Sequence, residues 1–294
     1  MDLTVAVCTR DRPRLLAETL GALACQSDTD FELVVVDQSR GPDSALDELA
    51  RVRPRTVVIR DGGAGLSRSR NLALASATGD WIAFLDDDCI AEEGCVAALK
   101  AEIAAHPEAD WVSGDVSAGS APRGDYLPVT LFAVDRPVSR RGRWTIPGAI
   151  GFGVFFAVRR SVAESLGGWD ERLGPGVPAF PAADDMDFNH RLLRSGAVAW
   201  LSPAVRLRHD QWRSPAQLPP LQRGYVRAWA GFSMKQLRTG HPLAGVWLWS
   251  WGAIDVVHMA GSALRHRSRL RRRLAVAKAR GLVEGTVMGL RRRW

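Results

Sequence analysis

The chain has 294 residues, of which 46% are hydrophobic and 24% charged, with four cysteines and a formal net charge of +7. These proportions exclude a disordered chain, a collagen-like repeat and a small disulfide scaffold, and fit one large globular domain with or without an appendage. The charge is divided unevenly: residues 1–204 carry 21 Lys and Arg against 29 Asp and Glu, whereas residues 205–294 carry 18 against 3. An acidic body with a basic tail directs any anionic partner to the tail. Cys8, Cys25, Cys89 and Cys95 show no paired metal-ligand spacing, which suits a reducing compartment, and the first residues carry no secretory signal.

The first hundred residues alternate strand and helix signals. Leu3–Cys8 is an apolar, β-branched run, and Pro13 then opens a helical stretch. Glu32–Asp37 predicts a second strand and Asp43–Val52 a helix; Thr56–Arg60 and Gly65–Ala77 repeat the pair. Trp81–Asp86 is a fourth strand and Glu92–Ala105 a fourth helix. This alternation predicts βαβ units, hence an α/β fold with a mainly parallel sheet flanked by helices. Ligands of such sheets gather at the C-terminal strand ends, where Thr9-Arg10-Asp11, Asp37, Asp61 and Asp86-Asp87-Asp88 stand. Further on, Trp111–Ser117 and Gly151–Arg159 read as strands and Asp184–Ser195 as a helix, with a mobile loop expected over residues 118–148.

Three successive carboxylates after a hydrophobic strand repel one another and favour a bound cation. Oxygen ligands at this spacing suit Mg2+ or Mn2+, with a substrate phosphate completing the shell. One of the three could instead cap the following helix. Asp184, Asp185 and Asp187 open a helix, where the dipole favours acids, and one of them could serve as a general base. His209 follows a strand-like run and could join a carboxylate-bound ion or simply pack. Gly62-Gly63-Ala64-Gly65 could offer N–H groups to phosphate, but it completes no nucleotide-binding fingerprint.

VAVCTRDRP (5–13), ELVVVDQS (32–39), GLSRSRNLALASATGDWIAFLDDDC (65–89), GGWDERLGPG (167–176) and DDMDFNHRLLRSG (184–196) together resemble a family two glycosyltransferase with the GT-A fold. The resemblance covers residues 3–210. It implies a Rossmann-like nucleotide-binding half, a mixed acceptor half, and inverting transfer from a nucleoside diphosphate sugar, a UDP-sugar by preference, to a hydroxyl. It implies that Asp37 binds the base, with Thr9 and Arg10 lining that pocket. Asp86 and Asp88 would be the outer members of the Asp-x-Asp motif, contacting ribose and metal-bound diphosphate, with Asp87 also binding the donor and Asp88 the better ligand of the outer two for Mg2+ or Mn2+. Arg70 and Asn71 would lie beside the diphosphate. Trp169, Asp170 and Glu171 would lie near sugar and acceptor. Asp185 would be the general base, although Asp184 replaces the family's usual Glu and leaves the choice between the two open. His209 matches a His that completes the metal site in some members.

The division expected is a catalytic domain over 1–210 and a helical, basic, Trp-rich extension over 211–294. Leu243–Leu264 is long enough to cross a bilayer, but Asp255 and His258 interrupt it. Asp255, His258, Ser262, Arg265 and Arg269 recur at steps of three and four as a polar stripe. That pattern predicts an amphipathic helix lying in the membrane interface, with Trp247, Trp249 and Trp251 in the headgroup zone and Arg265–Arg273 on anionic lipid. Packing of this helix on the catalytic domain is the rival reading. Nucleic acid is not an expected partner, because a long apolar block interrupts the cations. The sequence thus predicts a cytoplasmic enzyme, peripheral on the inner face of the plasma membrane, acting on a lipid-linked or cell-envelope glycan. The alternatives are a sugar nucleotidyltransferase, disfavoured because VAVCTRDRP lacks the glycines of its signature, and a non-catalytic nucleotide-sugar-binding membrane protein.

Overall fold

A computed structural model describes residues 2–41, 44–120 and 124–294. Asp43, where the sequence places the start of the second helix, and residues 121–123 of the expected loop lie outside that set. The elements in chain order are β1 (Leu3–Thr9), α1 (Pro13–Ala24), β2 (Glu32–Asp37), α2 (Ser44–Val52), β3 (Thr56–Arg60), α3 (Leu66–Ser76), β4 (Trp81–Asp86), β5 (Cys89–Ala91) and α4 (Cys95–Ala105). There follow β6 (Trp111–Ala118), β7 (Leu127–Pro128), β8 (Val138–Arg140), a 3-10 turn (Pro147–Ile150), β9 (Phe155–Arg159), α5 (Arg160–Ser165), α6 (Asp184–Arg194), β10 (Ala199–His209) and β11 (Trp212–Arg213). Three long helices close the chain: α7 (Leu218–Arg238), α8 (Pro242–Arg265) and α9 (Arg269–Arg291).

The chain divides into two compact units. One comprises Met1–Ala121, Pro128–Asp170 and Phe188–Gln211; the other comprises Pro122–Leu127, Glu171–Asp187 and Trp212–Trp294.

The first unit is built on a nine-stranded sheet in the order β3-β2-β1-β4-β9-β6-β10-β5, with β8 also paired to β10. The four strands read first, β3, β2, β1 and β4, are parallel, as are β6 and β10. The antiparallel members are β9 between β4 and β6, and β5 and β8 on β10. The expected mainly parallel sheet flanked by helices is therefore present, and the loop expected over 118–148 contains two short strands.

Strand residues alternate between the two faces, as a pleated strand requires. Leu3, Val5 and Val7 of β1 and Trp81, Ala83 and Leu85 of β4 pack with Leu16 of α1 and Val96 and Leu99 of α4. Ala6, Ile82 and Phe84 face the opposite layer, with Ala73 of α3, Ala163 of α5 and Phe188 and Leu192 of α6. Burial on both faces is why these strands read as continuous apolar runs. Register aligns their ends: Cys8 stands beside Asp86 and Thr9 beside Asp37, so polar residues gather at one edge.

In the second unit, Val226, Ala230 and Leu282 form a small core with Trp249, Ala253 and Val256. Pro219 and Pro242 sit in the first turns of α7 and α8, where the missing N–H is no loss, and the Ser268 hydroxyl caps α9 by accepting from the Arg271 N–H. Gly281, Gly285 and Gly289 let α9 lie close on α7. A Cβ at Gly285 would overlap the Arg227 carbonyl, and one at Gly289 would stand 2.7 Å from the Met234 Cβ. Among the described residues, no helix is long and apolar enough to cross a membrane.

Candidate active site

The acidic edge of the first unit is built where β4 runs out. Asp87 is buried and already engaged: its Oδ2 accepts from the Thr9 hydroxyl at 2.7 Å and its Oδ1 from Arg12 Nη1 at 3.0 Å. Arg12 Nη1 also donates to Asp88 Oδ2 at 3.1 Å. Asp86 lies 3.6 Å from Arg70 Nη2, and the same nitrogen donates to the Gly153 carbonyl at 2.7 Å. All three carboxylates thus meet protein cations, Asp88 pairing with His209 as well as Arg12, and Asp86 is the most exposed of the three. Burial pushes Asp86 up to about 8, with Arg70 opposing and the Asp88 and Asp87 charges adding. Asp88 moves the other way: burial would raise it, but the hydrogen bond and charge of His209, with Arg12, hold it below the usual carboxylate range.

His209, 1% exposed, ends β10 with Nε2 3.1 Å from Asp88 Oδ1. Its Nδ1 lies 3.3 Å from the Thr130 carbonyl. Thr130 adopts φ +58°, a conformation that a β-branched residue rarely takes, so the backbone is specially bent where it meets the ring. Both ring nitrogens thus face oxygen acceptors; burial would lower the imidazole's pKa, but the hydrogen bond and charge of Asp88 raise it, and an ion bound at Nε2 would replace the proton there.

Asp88, Cys89 and His209 bring potential ligand atoms within 4.8 Å of one another. Burial beside the acidic cluster pushes the Cys89 thiol well above its usual value, so it stays protonated and ligates poorly. One carboxylate oxygen and one imidazole nitrogen, with Asp86 nearby in sequence and space, fit a divalent ion that takes oxygen and nitrogen donors.

The remaining expected residues divide into those at the strand edge and those used to hold the fold. Asp37 is buried at the end of β2 and accepts from the Ser39 N–H at 2.8 Å. Arg10 is exposed, 3.8 Å from Asp11. Asn71 clamps the backbone of Trp169, donating to its carbonyl at 2.9 Å and accepting from its N–H at 2.7 Å. Trp169, expected near sugar and acceptor, has its ring in the core. It is 2% exposed, stacked on Phe188 with centroids 4.2 Å apart, and meets Phe84 edge-on. A buried indole anchors the turn rather than touching a ligand. The Gly62–Gly65 loop is also committed: Gly63 N–H donates to Asp61 and Gly65 N–H to Gln38.

In the second unit, Ala183 takes φ +68° immediately before α6. Asp184 is buried, with Gly174 directly against its carboxyl, whereas Asp185 is half-buried and accepts from the Met186 N–H at 2.8 Å. Asp187, fully buried, accepts from Lys235 Nζ at 2.6 Å. Asp170 and Glu171 stand at the junction of the units in sequence, Asp170 half-buried and Glu171 exposed.

Two side chains escaped the sequence reading. Arg12 joins Asp87 to Asp88, and Gln38 links Asp61 Oδ2 to Gly65 N–H. The signal for Arg12 was the acidic triad itself, which requires a counter-charge.

A family model described as Glycosyl transferase family 2 matches residues 4–167. An uncharacterized glycosyltransferase of Haemophilus influenzae is 25% identical over 193 residues, 65% of this chain and 62% of that protein. A PGL/p-HBAD biosynthesis glycosyltransferase of Mycobacterium bovis is 33% identical over 118 residues, 38% of this chain and 46% of that protein. The matched segments thus span less than two thirds of either relative. Among solved structures, a mannosyltransferase from Pyrobaculum calidifontis, in complex with GDP-Man and Mn2+, superposes with a TM-score of 0.62 at 20% identity, over 98% of this chain and 87% of that one.

Proposed function

The chain belongs to glycosyl transferase family 2 and has a GT-A type α/β fold, and from that premise we propose an inverting transfer of a sugar from a nucleoside diphosphate sugar to a hydroxyl of a lipid-linked or cell-envelope glycan. The observation that carries the reading is the buried Asp88–His209 pair at the end of the acidic edge, with the outer carboxylate Asp86 left to meet a ligand. A divalent ion held by Asp88 and His209 would neutralise the departing diphosphate. The nitrogen donor favours Mn2+ over Mg2+, and the Pyrobaculum structure, with Mn2+ in its complex, supports that preference.

The chain's own residues supply the rest. Asp37 holds the base, and Arg70 and Asn71 stand beside the diphosphate, Asn71 also fixing the turn at Trp169. Asp185, the more accessible of the two acids that open α6, takes the acceptor proton as the hydroxyl attacks the face opposite the leaving group, so the anomeric centre inverts. Asp170 and Glu171 lie toward sugar and acceptor. We assign catalysis to residues 1–210 and membrane attachment to the basic helices after 211, which would hold the enzyme on the inner face of the plasma membrane, near a lipid-linked acceptor.

Calorimetric titration with UDP, GDP and dTDP, each with and without Mn2+, tests the reading on wild type and Asp88→Ala. The expected result is binding of one nucleotide that needs both the ion and Asp88. Absence of ion-dependent binding by all three overturns it.

A further inference from the structure

Helix α8 shows water its apolar side. Leu243, Val246, Ile254, Val257 and Leu264 are exposed, Leu243 by 75% and Val257 by 70%. Their steps of three, eight, three and seven align them in one stripe about 30 Å long. The polar side chains expected to face outward are divided instead. Asp255 accepts from Lys278 Nζ of α9 at 2.7 Å and Ser262 is engaged by Arg271, so both are turned onto the neighbouring helix, while His258 and Arg265 are exposed. Trp249 also points inward, donating its indole N–H to Thr286 at 2.9 Å. A helix of a water-soluble bundle has the reverse orientation.

The same unit carries a basic groove of about 460 Å³ between α7 and α9, where Arg223, Arg272, Arg273 and Arg280 stand around Pro219 and Val276. Residues 212–294 contain sixteen Lys and Arg but only two acidic side chains, Asp255 and Glu284. Both are engaged, by Lys278 and by Arg223. The groove therefore keeps a large positive excess, presented as guanidinium, which pairs with phosphate through two parallel hydrogen bonds. Arg265, Arg267 and Arg269 continue the charge from the last turn of α8 into the first turn of α9. Arg272, Arg273 and Arg280 lie on the side of α9 away from Arg271, Lys278 and Thr286, which meet α8, so groove and stripe open on different faces, and the arginines beside the stripe are Arg265, Arg267 and Arg269.

We propose that the outer stripe of α8, with Arg265, Arg267 and Arg269 at its C-terminal end, forms a docking surface for a bilayer of anionic phospholipid. The stripe enters the acyl region and those arginines hold headgroup phosphates. This deepens the membrane-attached reading above and rests on it, naming the face, the lipid class and the residues.

The test is flotation of the full chain with vesicles of phosphatidylcholine alone and of phosphatidylcholine mixed with phosphatidylglycerol. Wild type is expected to float with the mixed vesicles and weakly with the neutral ones. Arg265→Ser with Arg269→Ser should weaken partition into the mixed vesicles about thirtyfold, from roughly fivefold per arginine near an anionic leaflet, and more than Arg272→Ser with Arg273→Ser does. Val257→Asp should weaken binding to both. Each variant is first required to melt at the wild-type temperature. No flotation of wild type, or equal flotation with both vesicles, overturns the proposal. So does a dimer in light scattering that Val257→Asp converts to monomer. Nucleotide titration of the same samples separates the two readings: flotation without nucleotide binding keeps the docking surface and removes the transferase.

Discussion

His209 and Asp88, 121 residues apart in the chain, meet with Nε2 3.1 Å from Oδ1, while the Thr130 carbonyl takes the other ring nitrogen. One strand end brings the carboxylate and another the imidazole, and a bent loop fixes the ring. In the presence of the cognate nucleotide, His209→Ala should raise the Kd for Mn2+ by about 10–100-fold, and Asp88→Asn should abolish binding. Calorimetry reads both; an unchanged Kd in His209→Ala would remove the imidazole from the ligand set.

The two acids opening α6 differ in burial, and that difference separates their expected roles. Asp185→Asn should lower kcat by about 10²–10⁴ while leaving nucleotide affinity unchanged. Asp184→Asn should act mainly on stability, because its carboxyl is buried against Gly174. The check is labelled-sugar transfer into a glycolipid extract, beside melting curves. A Asp184→Asn variant that is stable yet inactive would exchange the assignments.

Gly167 and Gly168 both have positive φ, +74° and +66°, but their surroundings differ. A Cβ at Gly167 meets open space, whereas one at Gly168 would overlap Asn71 Oδ1, the atom that accepts from the Trp169 N–H. Gly167→Ala should cost about 1 kcal/mol from backbone conformation alone, and Gly168→Ala about 2–4 kcal/mol because the clamp is also broken. Denaturant unfolding gives the two values, and equal losses would show that the clamp contributes nothing.

Asp61 predicts an acid-sensitive contribution to stability. The hydrogen bonds from Arg68, then those from Gln38 and the Gly63 N–H, pull its carboxyl down to about 2, against the opposing effect of burial. The folded value lies below the unfolded one, so the ionised carboxylate stabilises the fold above about pH 4, and that contribution is lost as pH falls through 2. Asp61→Asn should therefore be less stable than wild type near neutrality by on the order of 1 kcal/mol, discounted because Arg68 is half exposed, with the difference closing between pH 4 and 2. Melting temperatures across that range measure it, and a constant difference would sink the linkage.

The strands β1, β2 and β4 were legible because both their faces are buried, which leaves an uninterrupted apolar run bounded by polar ends, and the half-buried edge strand β3 was legible from its β-branched run over residues 56–59. The strands β5 and β8 were not, because short antiparallel partners carry little periodicity of their own, and β10 was legible only near His209 because Pro203 and a register shift between Ser202 and Arg206 interrupt it. Asp88 was legible from its neighbours, but Arg12 was not, since a cation's partner is set by tertiary contact rather than spacing. Trp169 illustrates the opposite failure. Its motif position suggested a ligand surface, while stacking on Phe188 makes it a core residue. On α8 the period of the polar stripe was legible, but which side would face a neighbour depended on α7 and α9, whose close approach at Gly285 no hydrophobic period announces.

Arg12 gives the acidic edge a resident counter-charge, bonded to Asp87 and to the second oxygen of Asp88. An ion that takes the first oxygen meets a carboxylate whose electron density is already shared, so its hold is attenuated. In the proposed transferase, that attenuation would shorten the residence time of the spent nucleotide. The guanidinium would thereby trade tightness for throughput, while it holds Asp87 and Asp88 together between one donor and the next.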